Sequence, residues 1–339
     1  MSGEKISLAH GNGGKHMREL IENVFARHLN SDHIENPHLD TDADAATIEL
    51  PPGKTLFTTD GFIVQPMEFP GGDIGSLAVH GTCNDLAVSG ADPYFLTLNA
   101  FIEEGTSIAL LERLVKSIAR NAKDSGVSIV AGDTKVLPRG QGGGIYLATA
   151  GIGVCPPGVT IKMSNIQAGD HILVSGPVGD HGVAVMLARE AFGMRGDLKS
   201  DAASVLPLTR AIRELDGLHF MRDPTRGGLA TVCHEISLAT GLQINLHGPS
   251  IPVRDPVQSV CEILGYDPLY LACEGRVVAI VAAEAAEKVL TIWRTLPQGK
   301  MAADVGTIEQ GVARVQIETE LGGNRILEEL EDDPLPRIC

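Results

Sequence analysis

Acidic residues recur beside small residues along this chain, in a pattern that suits the binding of a divalent cation and of phosphate groups. They are Asp40, Asp42, Asp44, Asp60, Asp85, Asp133 and Asp223. Hard cations such as Mg2+ take carboxylate oxygens together with phosphate oxygens and water. Each aspartate by itself is also consistent with a helix cap or a turn, and for Asp44 both interpretations stay open. Placed together at the ends of separate strands, they predict a site built around a triphosphate.

Basic residues accompany two of these aspartates. The motif AGDTK places Lys135 directly after the end of a predicted strand, and RDPTRGG places Arg226 close to Asp223. A lysine at a strand end would reach the β- and γ-phosphates as a point charge. The alternative for Lys135 is a solvated side chain on a loop.

A glycine cluster, HGNGGKHM, precedes the first predicted helix. The backbone N–H groups of Gly11, Asn12, Gly13 and Gly14 would form an anion-binding nest at the start of that helix. The cluster does not match the P-loop pattern of nucleotide-binding proteins. The alternative is a flexible N-terminal segment.

Glu274, in the motif LACEGR, is the candidate general base. It stands next to Gly275 in a short turn between apolar residues. Burial in such a turn would raise the pKa of its carboxyl group and suit it to accept a proton. A helix or strand cap is the competing interpretation, and His80 is a weaker candidate for the base.

The last residue of the sequence, Cys339, follows two prolines in the ending PLPRIC. Six extended residues reach about 20 Å, and the prolines stiffen the segment. The α-carboxylate and the acidic residues before the segment disfavour ionisation of the thiol, so we expect Cys339 to need a base or a partner. An accidental cysteine on a disordered end is the alternative.

Composition limits the classes of function. The chain has 339 residues, of which 43% are hydrophobic, enough for a core in each of two halves. Its formal net charge of −16 argues against nucleic acid as the main partner. The six cysteines form no C-x-x-C pair, so a zinc or iron–sulfur site is poorly supported. With neither a signal-peptide core nor a long apolar span, we expect a soluble cytoplasmic protein that does not enter membranes.

Hydrophobic periodicity predicts a mixed α/β chain in two halves. Helices are expected at KHMRELIENVFARHL, DIGSLAVHGTCNDLAVSGA and SIALLERLVKSIARNAKDSG, the last ending at Gly126. Strands are expected at TLFTTD, YFLTLNAFI and VSIVAGD, with Asp60 at the end of the first. The segment CPPGVTIKMSNIQAGD marks a boundary. We therefore predict an N-terminal domain, 1–155, a C-terminal domain, 165–325, and a mobile tail, 326–339.

Several of these motifs together resemble those of the hydrogenase-maturation carbamoyl dehydratases, the E-type maturation proteins of nickel–iron hydrogenases. The resemblance covers essentially the whole chain and rests on HGNGG, TTDGF, FPGGDIGSLAVHGTCNDLAVSGA, VAGDTKVLPRG, VSGPVGDHG, RDPTRGGLA, CEG and PRIC. The motifs around Asp60, Asp85 and Asp223 are general to the ATP-binding superfamily of aminoimidazole ribonucleotide synthetase. The ending PRIC is what singles out the maturation family.

The resemblance implies a two-domain, aminoimidazole ribonucleotide synthetase-like fold of the α/β (α+β) class. Its N-terminal domain would form a homodimer, with strands joined into a shared barrel and ATP bound along it. Mg2+ and the phosphates would be held by Asp44, Asp60, Asp85 and Asp223, and the choice between Asp42 and Asp44 is open. Lys135 would contact the γ-phosphate, and residues 11–14 would close over the nucleotide. Further nucleotide contacts are expected from Asn84, Asp133, Thr134 and Arg226.

The resemblance also implies a reaction. A partner carbamoyltransferase would load a carbamoyl group onto the C-terminal cysteine, here Cys339. Transfer of the γ-phosphoryl group of ATP to the amide oxygen makes that oxygen a good leaving group, and a base, Glu274 or His80, takes protons from the nitrogen. The thiocarboxamide becomes a thiocyanate, and its cyanide reaches the hydrogenase iron through scaffold proteins.

Two alternatives are weighed against this function. A selenophosphate synthetase of the same superfamily would carry a cysteine or selenocysteine near the glycine loop, and HGNGGKHM has none. A scaffold protein that only docks its tail on a partner would leave the aspartates and the lysine idle. A loss of ATP hydrolysis in Lys135→Ala or Asp85→Asn would exclude the scaffold.

Overall fold

The computed structural model describes residues 5–30, 39, 45–189, 197–319 and 321–331. Within these ranges the chain is a mixed α/β fold with a four-stranded and a seven-stranded sheet, as the periodicity predicts. Three predicted site residues, Asp42, Asp44 and Cys339, lie outside the described residues, as does the tail from 332 onward.

The strands and helices follow the chain in alternating order. The strands are β1 (Lys54–Phe62), β2 (Glu68–Phe69), β3 (Gly72–Asp73), β4 (Asp92–Glu103), β5 (Ser128–Leu137), β6 (Ile145–Cys155), β7 (His171–Val174), β8 (Leu218–Arg222), β9 (Gln243–His247), β10 (Val278–Val281), β11 (Ala303–Glu309), β12 (Arg314–Glu318) and β13 (Asn324–Ile326). The helices are α1 (Lys15–Leu20), α2 (Arg27–Leu29), α3 (Ile74–Val88), α4 (Ile108–Ser125), α5 (Asp180–Ala188), α6 (Leu206–Ile212), α7 (Gly228–Thr240), α8 (Asp255–Leu264) and α9 (Ala283–Thr295). A π-helical segment, Ile21–Ala26, joins α1 to α2, so the first predicted helix forms as one run.

The four-stranded sheet of the first half has the order β1-β6-β4-β5, so β1 and β5 are its two edges. Helices α3 and α4 pack against each other, and α4 buries apolar residues three or four positions apart. Gly126 ends α4 in a left-handed conformation, φ 71°, which glycine adopts without steric cost. A Cβ at Gly75 of α3 would lie 2.6 Å from a backbone oxygen of α4, so small residues permit this close packing.

The seven-stranded sheet of the second half has the order β13-β12-β9-β11-β7-β10-β8. Its central strands are buried, and Val278–Val281 is buried at every position. The fully buried Trp293 of α9 donates from its indole N–H to the backbone oxygen of Leu208 in α6, at 3.1 Å. This sheet therefore has a core of its own.

Polar contacts join the two halves. Arg210 of α6 and Arg213, directly after this helix, form ion pairs with Asp92 at the start of β4, at 2.6 and 2.9 Å. Helix α6 also packs against α3. The loop before α6 therefore lies beside the helix that carries several predicted site residues.

Two strands extend further than the sequence predicts. Pairing of β1 with β6 continues to Phe62, so Asp60 lies inside the strand and not at its end. Parallel pairing of β5 with β4 continues to Leu137, so Lys135 lies inside a strand and not on the loop after one. In both cases hydrogen bonds to a distant partner strand carry the element past the residue where its own apolar pattern ends. Among the described helices none is long and apolar enough to cross a bilayer.

Candidate active site

A cleft of about 480 Å³ opens where the two halves meet, between β1 and α3 on one side and the loop after β8 on the other. Its lining includes Asp60, Asp85, Asp223, Arg226 and Glu274. We call these five residues and the space between them the acidic cleft. Five predicted site residues, from motifs up to 214 positions apart, are thus brought together.

Close packing of α3 on β1 places the first two carboxylates. A Cβ at Gly81 would lie 2.7 Å from the ring of Phe62, so glycine allows the helix to approach the strand. Asp85 follows Gly81 by one turn and therefore lies on the same face of α3. The hydroxyl of Thr58 donates to the Asp85 carboxylate at 2.9 Å, and the Gly61 N–H donates to Asp60 at 2.8 Å.

The three aspartates share a partly buried, mutually repelling environment. Burial raises the pKa of Asp60, and burial together with the Asp60 charge raises the pKa of Asp85. The pKa of Asp223 rises to about 7, first because of burial and then because of Asp85. Arg226 opposes these shifts at Asp60 and Asp85. A bound cation would reduce the repulsion among these carboxylates and favour their ionised forms.

The donor set of the cleft fits Mg2+ held jointly with phosphate. Within the described ranges, no three His, Cys, Asp or Glu side chains are gathered closely enough to hold a metal ion by themselves. Mg2+ is usually bound by one or two carboxylates together with substrate phosphates and water, and not by a cage made entirely of protein. The carboxylates of Asp60, Asp85 and Asp223 supply the hard oxygen ligands that this mode requires.

Glu274 lies in the predicted turn, between apolar residues and just before β10. It is only 7% exposed, and it borders the acidic cleft. Its backbone N–H donates to the Asp201 carboxylate at 3.1 Å. The position agrees with that of a base facing the aspartates, and its catalytic role stays a prediction.

A second group of predicted residues gathers on β5. The Lys135 ammonium lies 2.6 Å from the Asp133 carboxylate and, by hydrogen bonding, lowers the pKa of that carboxyl group. Thr134 is buried, and its backbone N–H donates to the Asp133 carboxylate at 2.8 Å. Gly11, the first of residues 11–14, adjoins this strand, because a Cβ at this position would lie 3.0 Å from Val136. We call residues 11–14 and 133–135 the β5 group.

The β5 group and the acidic cleft lie at opposite edges of the same sheet. Three strand spacings separate β5 from β1, which is about 14 Å. A cavity of about 450 Å³ beside β5 is lined by Asp133, Thr134 and the pair Ala45 and Ala46, which directly follows Asp44 in the sequence. Within the described residues of one chain, the acidic cleft and the β5 group are therefore two separate groups of predicted site residues.

The side chain of Asn84, which the family resemblance predicts to contact the nucleotide, does not line the acidic cleft. Its amide nitrogen donates to the backbone oxygens of Ala203 and Glu274, at 3.0 and 3.3 Å. Its amide oxygen accepts from the Val205 N–H at 2.9 Å. The side chain is 2% exposed, so it joins the two halves instead of lining the cleft.

His80 is also displaced from its predicted role. It is 7% exposed and lies beside Asn121 and Asp124 of α4, on a different face of α3 from Asp85. Burial lowers its pKa to about 4. His80 does not border the acidic cleft, so the structure does not support it as the base.

Sequence reasoning missed three residues of this region. Thr58 stands two residues before Asp60, and the two-residue period of a strand would have placed both on one face. Arg222 precedes Asp223 in the chain and lines the cleft. Asp201 lies in a loop with no motif, and only the fold shows its contact with Glu274.

Comparison with known proteins places this chain among related sequences. The family described as AIR synthase related protein matches with its N-terminal domain over residues 42–155 and with its C-terminal domain over residues 167–318. The chain is 45% identical over 336 residues to the carbamoyl dehydratase HypE of Azotobacter vinelandii, covering 98% of this chain and 97% of that protein.

Solved structures show the same relationship. The crystal structure of the hydrogenase maturation protein HypE in complex with ATP is similar with a TM-score of 0.91 and 40% identity, covering 98% of this chain and 99% of that one. A chain of the HypE–HypF complex is similar with a TM-score of 0.79 and 42% identity, covering 92% and 99%.

These similarities extend over nearly the whole chain, which confirms both the predicted fold class and the family resemblance. The acidic cleft draws Asp60 and Asp85 from the first matched domain and Asp223 and Glu274 from the second. The chain therefore belongs to the carbamoyl dehydratases, an enzyme family of hydrogenase maturation.

Proposed function

We propose that this enzyme uses ATP to dehydrate a carbamoyl group carried on Cys339, converting a thiocarboxamide into a thiocyanate. The observation that carries the proposal is the convergence of Asp60, Asp85, Asp223 and Glu274 in one cleft. The crystal structure of a similar HypE with ATP supports the nucleotide. The role of Cys339 rests on the ending PRIC, through which the sequence resembles the family.

The residues of the acidic cleft would have different roles in this reaction. Asp60, Asp85 and Asp223 would hold Mg2+ and, through it, the phosphates, while Arg226 adds positive charge on the same side. When bound, ATP supplies the phosphoryl group that makes the amide oxygen a good leaving group. Glu274 accepts a proton from the carbamoyl nitrogen.

The proposed reaction balances in atoms and protons. The carbamoyl nitrogen loses two protons, one to Glu274 and one to the departing phosphate, and the carbon loses its oxygen, which leaves as part of that inorganic phosphate. The carbon–sulfur bond to Cys339 stays intact, so the cyano group remains on the chain. Tethering keeps this labile group next to the cleft and replaces a diffusional encounter by an intramolecular one.

The base of the tail contacts a residue that lies four positions before Glu274 in the sequence. The Tyr270 hydroxyl donates to the backbone oxygen of Glu328 at 2.6 Å. Tyr270 precedes Glu274 by four residues, so at most about 14 Å of chain separates them. The eight residues from 332 to 339 can extend about 28 Å, more than this separation. This geometry supports a tail that reaches the candidate base.

A homodimer would unite the two groups of site residues. The edges of the four-stranded sheet are β1, beside the acidic cleft, and β5, which carries the β5 group. On and next to β1, Phe57 is 68% and Ile63 is 47% exposed. Exposed apolar residues along an edge strand favour pairing with another chain. In such a dimer the partner's Lys135 would face the phosphates held by the acidic cleft.

Other proteins of the pathway would load and unload the tail. We assign the loading of Cys339 to a carbamoyltransferase, and the complex of a similar HypE with HypF supports a partner of this kind. Scaffold proteins that carry the hydrogenase iron would then accept the cyanide. We place this exchange in the cytoplasm, with neither nucleic acid nor a membrane involved.

Intact-mass measurement tests the proposal. The purified protein is incubated with the carbamoyltransferase, carbamoyl phosphate and ATP. We expect a carbamoyl adduct, followed by a cyano adduct as ADP is released, and neither adduct in Cys339→Ala. The control Cys261→Ala removes a buried thiol of α8 and should keep both adducts. Adducts that survive in Cys339→Ala would refute the tail as the carrier.

A further inference from the structure

Glu274 lies in an irregular turn, so its position depends on contacts from other segments. The backbone N–H of Glu274 donates to the Asp201 carboxylate at 3.1 Å. Its backbone oxygen accepts from Asn84 at 3.3 Å and from the Ala203 N–H at 3.4 Å. Both backbone polar groups are therefore held from outside the turn, and a carboxylate holds the N–H.

The side chain of Asp201 is buried and forms an ion pair with a buried arginine. It is 0% exposed, and its second oxygen lies 3.4 Å from Nε of Arg276, which is 8% exposed; this contact is electrostatic, because that N–H donates its hydrogen bond elsewhere. Arg276 also donates to the backbone oxygen of Pro177 at 2.9 Å and to the Asp180 carboxylate at 3.2 Å. Loss of one partner from a buried ion pair leaves the other charge uncompensated, which is strongly destabilising. Asp201 therefore contacts the turn at two points, the backbone N–H of Glu274 and the side chain of Arg276.

Gly275 allows this network to lie directly against the turn. A Cβ at Gly275 would overlap the backbone oxygen of Asp201. Only glycine lets two backbone segments approach so closely. The loop that carries Asp201 and the turn that carries Glu274 therefore pack as one unit.

We propose that Asp201, supported by Arg276, is a positioning residue for Glu274. The inference rests on the proposed function, in which Glu274 is the base. Neither Asp201 nor Arg276 borders the acidic cleft, so each acts on the reaction only through the backbone that it holds. A displacement of about 1 Å at a reacting group can lower a rate by about 100-fold.

The inference is tested on the full-length protein after its carbamoylation by the carbamoyltransferase. Asp201→Asn keeps the size of the side chain but removes the charge that faces Arg276. We expect the rate constant of cyano formation to fall about 10- to 100-fold, while the KM for ATP changes by less than about twofold. Arg276→Lys keeps the positive charge and loses the planar fork, so it should lower the rate in the same direction. Asp216→Asn, an exposed control in the same half, should leave the rate unchanged.

A double variant distinguishes positioning from a general structural effect. If Asp201 acts through Glu274, Asp201→Asn should not further lower the residual rate of Glu274→Gln. The same fractional loss in both backgrounds would overturn the inference. So would unfolding of both Asp201→Asn and Arg276→Lys, because the network would then serve folding alone.

The two proposals fail in different ways. Full dehydration by Glu274→Gln would refute the role of Glu274 as base, and with it the inference. An impaired Glu274→Gln beside an Asp201→Asn within about twofold of the wild type would overturn only the positioning role.

Discussion

The amide nitrogen of Asn84 lies 3.3 Å from the backbone oxygen of Glu274 and donates a hydrogen bond to it, although 190 positions separate the two residues. The residue after Asn84 is Asp85, whose carboxylate lines the acidic cleft. One turn of α3 therefore presents a candidate cation ligand and also holds the turn that carries the candidate base. Helix α3 therefore links the position of Asp85 to that of Glu274, and this link does not depend on a ligand in the cleft.

Removal of the Asn84 amide should loosen the contact between the halves. Asn84→Ala loses three hydrogen bonds and leaves buried backbone groups of Ala203, Val205 and Glu274 with fewer partners. We expect the free energy of unfolding in urea to fall by about 2–3 kcal/mol. The exposed control Asn23→Ala should change it by less than about 0.5 kcal/mol. Equal stability of the two variants would show that the contact is dispensable.

Mixed dimers should reveal whether two chains share one site. Asp85→Asn and Lys135→Ala should each abolish most ATP hydrolysis. If the partner's Lys135 completes the acidic cleft, subunit exchange between the two variants restores activity, because a mixed dimer has one site with neither substitution. Random mixing makes about half of the dimers mixed, so about one quarter of the wild-type rate should return.

Two other outcomes would contradict a shared site, and one mixture serves as the control. No recovery, with subunit exchange verified by mass, would place both residues in one chain's site. Mixing Asp85→Asn with Asp60→Asn is the matched control, because both residues lie in the same acidic cleft, and it should restore nothing. Unchanged hydrolysis in both single variants would refute the ATP site altogether.

Asp223 should make stability depend on pH in the absence of cations and nucleotide. Its pKa is about 7 in the folded protein against an ordinary value of 3.8, so the folded protein binds this proton more tightly than the unfolded chain. Its contribution to the free energy of unfolding therefore falls as pH rises from about 4 to about 7 and then levels off. The variant Asp223→Asn should not show this decrease in the free energy of unfolding, because its side chain does not ionise.

Urea unfolding in the presence of EDTA measures the effect. Between pH 5 and pH 8 the stability of Asp223→Asn relative to the wild type should rise by about 2 kcal/mol. Asp216→Asn, an exposed carboxylate of the same half, should show no such trend. A constant difference across this range would contradict the raised pKa of Asp223.

Gly275→Ala should damage both stability and catalysis. The added Cβ overlaps the backbone oxygen of Asp201, so the loop and the turn must separate. We expect a loss of about 1–3 kcal/mol in the free energy of unfolding and slower cyano formation. Gly323→Ala, where the added Cβ meets Thr319 at an ordinary 3.6 Å, is the control. Similar effects of both changes would argue against the close approach at Gly275.

The sequence by itself determined the local elements and the chemical identity of the site. Spacing of apolar residues predicts α4, and the glycine after it predicts its end at Gly126, because both depend on contacts within one or two turns. The alternation in YFLTLNAFI likewise predicts β4. The aspartates of the cleft and Glu274 could be named from their motifs, since side-chain type decides which ligands a site prefers.

Only the tertiary structure decided where these residues meet. The length of β5, and so the position of Lys135, depends on pairing with β4, a strand about 35 positions earlier in the chain. The orientation of Asn84 depends on a loop more than 100 positions away, and that of His80 on its packing against α4. The contact of Asp201 with Glu274 likewise depends on the fold, because 73 positions separate the two residues. Periodicity reports contacts between near neighbours, whereas strand pairing, burial and the separation of the acidic cleft from the β5 group arise from contacts between distant segments.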